Sequence, residues 1–508
     1  MKKLIMLVCT LMLAIPALAD GEEGEGATKD KGPKPEAKSS VTKGSVRIDG
    51  QNIEYTATAG WLIMENDEGE PIARFGYTAY TRDGIDAAER PIMFAFNGGP
   101  GSSSIWLHMG ILGPQRVIVN DGGFAPPPPA ERVANEYSII DVTDLVMVDP
   151  VGTGFSKPIG EGKGEDFWGV DQDIQSVGAF VKKYVTENHR WASPKYILGE
   201  SYGGIRSAGL VWHMQNQHSM NFNGVVMVSP FLNMGSGIDG TTLDMPHVLY
   251  LSTLASTAWY HDMIPNKPAD LAAFVEEVDQ FAYNEYAPAL MKGYTIDESE
   301  KAEIAARLAG YTGTDVDYWM KADLRVSHQQ FTQELMRDNE KIAGRIDSRF
   351  VGPSVNPLGE SMDYDPFFPS VGPAFTAGFF DYMHADLNFG HGEEYIVSGG
   401  VGGQWDWEHS PPSSGAWVIP WADLRPDLSM AMTMNPGLHL LVQQGYYDLA
   451  TPIGATRHDI SHLDISAEAR ERITMEYYEA GHMMYLHQPS LEKYREDLAN
   501  FVRETDRL

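Results

Sequence analysis

The stretch Tyr196-Ile-Leu-Gly-Glu-Ser-Tyr-Gly-Gly204 constrains the fold of this chain more than any other. A short apolar strand, Tyr196–Gly199, runs into Gly-x-Ser-x-Gly centred on Ser201, and a helical pattern follows at about 204–217. A strand that turns directly into a helix around a serine needs glycine on both sides, because the turn is strained and its neighbours pack closely. Such a turn lifts the hydroxyl above the sheet edge, and the helix start offers free amides and its dipole to developing negative charge. The five-residue pattern alone is weak in a chain where 51 of 508 residues are glycine. The strand before it and the helix after it are what make it informative.

The surrounding chain has the same alternation. Strand candidates are Pro91–Phe96, Leu145–Asp149, Tyr196–Gly199 and Val225–Ser229, with helical patterns at about Val170–Glu187 and Gly204–Gln217 between them. Short apolar strands separated by helices predict an α/β fold with a mostly parallel central sheet flanked by helices. Upstream, Gly60–Glu65 and Ala73–Tyr80 flank Asn66-Asp-Glu-Gly-Glu70 and read as a hairpin. From about 231 to 430 the strand rhythm stops. Helical stretches at Pro268–Tyr283, Asp297–Ala309 and His328–Ala343 and a Gly/Pro/aromatic-rich region predict a large, mainly helical cap inserted into the core. Strand logic resumes at Gly437–Val442 and Ile473–Tyr478, and a helix from Pro489 to about Glu504 closes the chain. The expected organisation is therefore core at 45–230 and 431–508, with the cap at 231–430 between its two parts.

The first 44 residues read differently. Lys2 and Lys3 precede an apolar run to Ala14, and Ala17-Leu-Ala19 fits a small-x-small cleavage site, so residues 1–19 read as a signal peptide. The run is too short to span a bilayer comfortably. Cleavage would remove Cys9, the only cysteine, leaving no thiol nucleophile, thiolate metal site or disulfide. Residues 20–44 read as a disordered acidic linker. The implied location is periplasmic or secreted, with no stable membrane insertion after cleavage. With 70 acidic and 38 basic residues the formal charge is −32, which repels nucleic acid and excludes polyanion binding. The oligomeric state is not encoded in any of these features.

A serine hydroxyl is a poor nucleophile near neutral pH and needs a positioned base with a group to orient it. In a hydrolase sheet built on this turn, an acid and then a histidine follow after late strands. Asp448, in Gly445-Tyr-Tyr-Asp-Leu-Ala-Thr-Pro452, and His482, in Gly481-His-Met483, stand at those places. His439 falls within a strand, His458 and His462 share a helix face with Asp459, and His384 and His391 lack a ligand pattern, so no metal site and no cofactor are expected. Trp405, Trp407 and Tyr395 are candidate pocket walls that read better as core. The two oxyanion donors would be the amide after the nucleophile, Tyr202, and one from a glycine-rich loop after an early strand. Asn97-Gly-Gly-Pro-Gly-Ser-Ser-Ser104 occupies that place and lacks the lysine of a phosphate loop.

Taken together, "NGGPGSSS", "VDPVGTGFS" (Val148–Ser156), "GESYGG", "GYYDLATP" and "GHM" resemble the serine carboxypeptidases in order and spacing, and "SYGGIRSAGL" resembles their bacterial branch. The resemblance implies an α/β-hydrolase fold and removal of C-terminal amino acids from peptide substrates. It makes Ser201 the nucleophile, His482 the general base and Asp448 its orienter, with the oxyanion held by backbone amides of Gly99 and Tyr202. Asn97, Gly98 and Glu200 would grip the substrate carboxylate. Three family positions are altered: the second glutamate falls on Ile111, a tryptophan on Ala95 and a loop cysteine on Ser102. Loss of the second glutamate removes a like-charge neighbour of Glu200, so activity is expected to extend closer to neutral pH. An esterase or acyltransferase of the same fold, and a catalytically inactive binding protein, are the alternative readings.

Overall fold

The computed structural model describes residues 34–124, 127–240, 243–412 and 417–506. The leader and residues 20–33 of the expected linker lie outside the described residues. The remainder of that linker is corrected in part. Lys38–Lys43 belong to a strand, β1 (Lys38–Ile48), paired antiparallel with β2 (Gln51–Glu65) from Lys38 opposite Trp61 to Ile48 opposite Gln51. An edge strand needs only backbone pairing, so its polar, largely exposed residues carry no apolar alternation to betray it.

β2 continues into β3 (Pro71–Arg82) as the expected hairpin, and β3 runs antiparallel to the core. The core strands are β4 (Ile92–Phe96), β5 (Asp144–Val148), β6 (Lys195–Glu200), β7 (Gly224–Val228), β8 (His439–Gly445) and β9 (Ile473–Tyr478). Across the sheet the order is β1-β2-β3-β5-β4-β6-β7-β8-β9, and every pair from β5 to β9 is parallel. The β5–β4 exchange followed by a parallel run, with a serine turn after β6, is the strand order of an α/β-hydrolase.

Both faces of this sheet are buried, which is why its strands read as continuous apolar runs. In β4, Met93 and Ala95 enter one core with Leu145, Met147, Leu198 and Val228, while Ile92, Phe94 and Phe96 enter the opposite core with Val146, Ile197 and Met227. Helices α1 (Val170–Glu187) and α2 (Gly203–His218) cover the second face. A third core gathers α3 (Asp244–Tyr260), α4 (Leu271–Phe281) and α5 (Glu298–Thr312). These helices lie between β7 and β8 in sequence, where the rhythm of strands stops. The expected helix His328–Ala343 is shorter than its pattern: it ends at Glu334, and Lys341–Ala343 forms a two-stranded ribbon with Val351–Pro353. The closing helix α6 (Gln488–Thr505) packs on the first face. Among the described residues no helix is long and apolar enough to cross a membrane.

Candidate active site

The turn after β6 has the strain its sequence predicts. Ser201 sits at φ 64°, in the left-handed region where a side chain costs about 1–2 kcal/mol. Three backbone bonds hold it there: Ser201 N–H to Val228 O (3.0 Å), and its own carbonyl accepting from Gly204 (2.8 Å) and Phe231 (3.0 Å). Glycine at 199 is a packing requirement, because a Cβ there would lie 2.2 Å from the Gly203 carbonyl and 2.4 Å from Ser207 Oγ. Ser201 is partly exposed, whereas Asp448 and His482 are buried.

Asp448 and His482 come from the ends of β8 and β9, and His482 Nδ1 lies 2.8 Å from Asp448 Oδ2. The other Asp448 oxygen accepts from the amides of Ala450 (2.8 Å) and Thr451 (3.0 Å), which fixes the carboxylate in place. Ser229, one residue beyond Val228, donates its hydroxyl to the His482 carbonyl (2.8 Å), tying the histidine loop to the strand that also holds Ser201. Burial disfavours the imidazolium at His482. The Asp448 carboxylate and its hydrogen bond, with the charge of Glu200, outweigh that and hold His482 above its ordinary value.

The glycine-rich loop after β4 lies directly on the serine turn. A Cβ on Gly98 would meet the Tyr202 amide nitrogen at 2.5 Å and Ser201 Cβ at 2.9 Å, so only glycine permits this approach. Neither the Gly99 nor the Tyr202 N–H has an acceptor among the described residues. Asp149 anchors the loop from below, accepting from Ser104 N–H (2.9 Å) and Ser104 Oγ (2.8 Å); burial pushes its carboxyl up to about 6. The second loop motif therefore serves the first: Gly154 crosses Asp149 so closely that a Cβ would lie 1.9 Å from Oδ2.

Asn97 and Glu200 meet as expected, with Asn97 Nδ2 donating to Glu200 Oε1 at 2.6 Å. Sequence reasoning missed two residues here. Tyr485, three positions after His482, donates its hydroxyl to Glu200 Oε2 (2.8 Å). Arg206, buried against Asp173 at 2.7 Å, donates to the Asn97 carbonyl (2.8 Å) and fixes the loop backbone. Neither carries a local motif; spacing from "GHM" was the only available signal for Tyr485. Ile111 and Ala95 are fully buried in the core, while Ser102 Oγ accepts from Trp106 Nε1 (2.9 Å).

The absence of a glutamate at position 111 removes one upward influence on Glu200. Burial nevertheless pushes Glu200 up to about 7, against the opposing pull of His482 and the Tyr485 and Asn97 hydrogen bonds. Desolvation inside the fold, with a smaller upward push from the Asp448 charge, keeps a neutral carboxyl accessible near neutral pH. Trp405 and Trp407 pack edge-on against Tyr202, and the Tyr395 hydroxyl lies 3.3 Å from Asp149, so all three act as supports. His458 stacks on His462, and His384 on His391.

A nucleophile turn, an Asp–His pair and a carboxyl–amide pair at one sheet edge correspond to the family whose profile, serine carboxypeptidase, matches residues 50–339. The chain belongs to the serine carboxypeptidase family. A serine carboxypeptidase-like protein of Arabidopsis thaliana is 28% identical over 189 residues, 36% of this chain and 36% of that protein. The pheromone-processing carboxypeptidase of Saccharomyces cerevisiae is 29% identical over 147 residues, 28% of this chain and 19% of that one. The match thus spans about a third of the plant relative and a fifth of the yeast one. Among solved structures, proline iminopeptidase of Mycobacterium smegmatis aligns over 87% of this chain and 97% of its own, at 14% identity and a TM-score of 0.37. The fold assignment of this serine carboxypeptidase family member rests on its own strand order.

Proposed function

We propose that this protein is an exported serine carboxypeptidase that hydrolyses C-terminal peptide bonds through an acyl-enzyme on Ser201. The observation that carries the reading is Glu200: a buried carboxyl beside the nucleophile, bonded by Asn97 and Tyr485 and titrating at about 7. In its neutral form it can donate a hydrogen bond to a substrate carboxylate, a function that simple ester hydrolysis does not require. The export part rests on the charged and apolar pattern of residues 2–19.

In this reaction His482 Nε2 takes the Ser201 proton as Oγ attacks the scissile carbonyl. The Gly99 and Tyr202 amides receive the oxyanion, and Asp448 stabilises the imidazolium. His482 returns the proton to the leaving amine, and the C-terminal amino acid departs. Water, deprotonated by His482, then cleaves the serine ester and releases the shortened peptide. Asn97, Gly98 and Glu200 hold the substrate's terminal carboxylate throughout.

The test compares a blocked peptide, its C-terminal amide and a simple ester. The free peptide should lose one residue by mass at a kcat/KM well above that of the amide. Equal rates on all three would replace this reading with an esterase or acyltransferase. Absence of turnover, with Ser201 unlabelled by a fluorophosphonate in folded protein, would leave an inactive binding protein.

A further inference from the structure

The cap contains a cavity of about 620 Å³ that the catalytic steps above do not use, lined in part by Asp239, Tyr250, His328, Arg345 and Glu360. Its walls are joined to all three proposed triad residues. The Arg345 carbonyl accepts from Leu449 N–H (3.0 Å), next to Asp448, and the following carbonyl, Ile346, accepts from His482 N–H (2.8 Å). On the third side, Phe231 donates to the Ser201 carbonyl (3.0 Å), six residues before Gly237 at the cavity wall. Arg345 is thus fixed by its backbone between the two late loops, and its charge is near enough to disfavour the imidazolium of His482.

The charges in this cavity are unequally engaged. Asp239 is held on both oxygens by His328, through Nδ1 (2.7 Å) and the amide (2.5 Å), and that imidazole stacks on Tyr250 at 5.4 Å. Glu360 is exposed to water. Asp347, two residues beyond Arg345, is paired with Arg349 (2.6 Å), and Asp365 accepts from the backbone amides of Arg345 (3.2 Å), Ile346 (3.0 Å) and Phe367 (3.0 Å). The Arg345 guanidinium, partly buried, makes no hydrogen bond or ion pair among the described residues. A planar fork of donors on a cavity wall is matched by a carboxylate, which binds it in a bidentate manner.

We propose that this cavity receives a substrate side chain flanking the scissile bond and that Arg345 binds a carboxylate there, giving a preference for Asp or Glu. The inference rests on the carboxypeptidase reading and deepens it. The substrate's terminal carboxylate remains with Asn97, Gly98 and Glu200.

The experiment measures kcat/KM at pH 6 for blocked dipeptides differing only as Glu or Gln, in one series before the scissile bond and in another at the leaving residue. One series should favour Glu by about tenfold, and that series identifies the subsite. Arg345→Gln should bring the ratio to about one, and Arg345→Lys should keep part of it. In the wild type the preference should vanish as the substrate carboxyl protonates, below about pH 4.3; this holds even if the variants do not fold. Ratios of one in both series, a preference that persists at pH 3, or a ratio unchanged in Arg345→Gln overturn the inference. An equal loss on every free-acid peptide with the ratio intact would assign Arg345 to the terminal carboxylate and also overturn it. Cleavage without preference removes only this inference. No cleavage of any peptide, with Ser201 still labelled by a fluorophosphonate, removes the carboxypeptidase reading and this inference with it.

Discussion

The sheet core and the helical cap meet at the same site but are built under different constraints. In the core, strands β4 to β8 are buried on both faces, and glycines 98, 154 and 199 sit where an added Cβ would lie within 2.5 Å of another atom. The cap helices pack around Leu251, Phe274, Leu308 and Trp319 in a core that also takes in Tyr447, Leu449 and Ile453 from the late part of the chain, and the segment at 345–346 reaches the site through backbone bonds. The core holds its loops at close approach, where even a single methyl group would not fit. The cap rests against the late loops and shapes what lies beside them, so the same perturbation should be far more costly to turnover in one than in the other.

The largest expected effect lies in the core. Asp448→Asn keeps the bonds from Ala450 and Thr451 possible but removes the charge that orients His482. The turnover number should fall by on the order of 10⁴, with KM little changed. A loss below tenfold in single-turnover kinetics would mean that His482 is oriented by something else.

A cap substitution of similar chemical size should act mainly on stability. Asp365→Ala deprives the amides of Arg345, Ile346 and Phe367 of an acceptor and should lower unfolding free energy by about 1–3 kcal/mol. Chemical denaturation would report it, and turnover should fall by less than about tenfold. A loss as large as that of Asp448→Asn would erase the distinction between core and cap.

The same contrast explains what could be read from the sequence. The strand–turn–helix around Ser201, the order of the loops and the placing of Asp448 and His482 after late strands were legible because local sequence dictates them. β1 was hidden because edge pairing needs no apolar face. The pattern at 328–343 has the spacing of one helix, yet the helix ends at Glu334 and the chain then forms the ribbon that leads to Arg345 and Ile346. Tyr485 and Arg206 reach the Asn97–Glu200 pair only through tertiary contact; the three-residue distance from His482 is the sole hint of Tyr485, and nothing local announces Arg206. The burial that raises Glu200 is hidden for a related reason: sequence reveals charged neighbours more readily than depth of burial.

The central claim is that a neutral Glu200 grips a substrate carboxylate, and its most direct test is the pH dependence of kcat/KM for one blocked peptide, free and amidated. Glu200 is raised to about 7, so its donor form is present below that pH and is lost as pH rises through it, where a carboxylate would repel the substrate's own. The free-peptide profile should fall above about pH 7 and the amide profile should lack that fall. Tyr485→Phe, which removes a bond favouring the charged form, should move the fall upward. A free-peptide profile peaking sharply below about pH 5, or identical alkaline limbs for the two peptides, would contradict it.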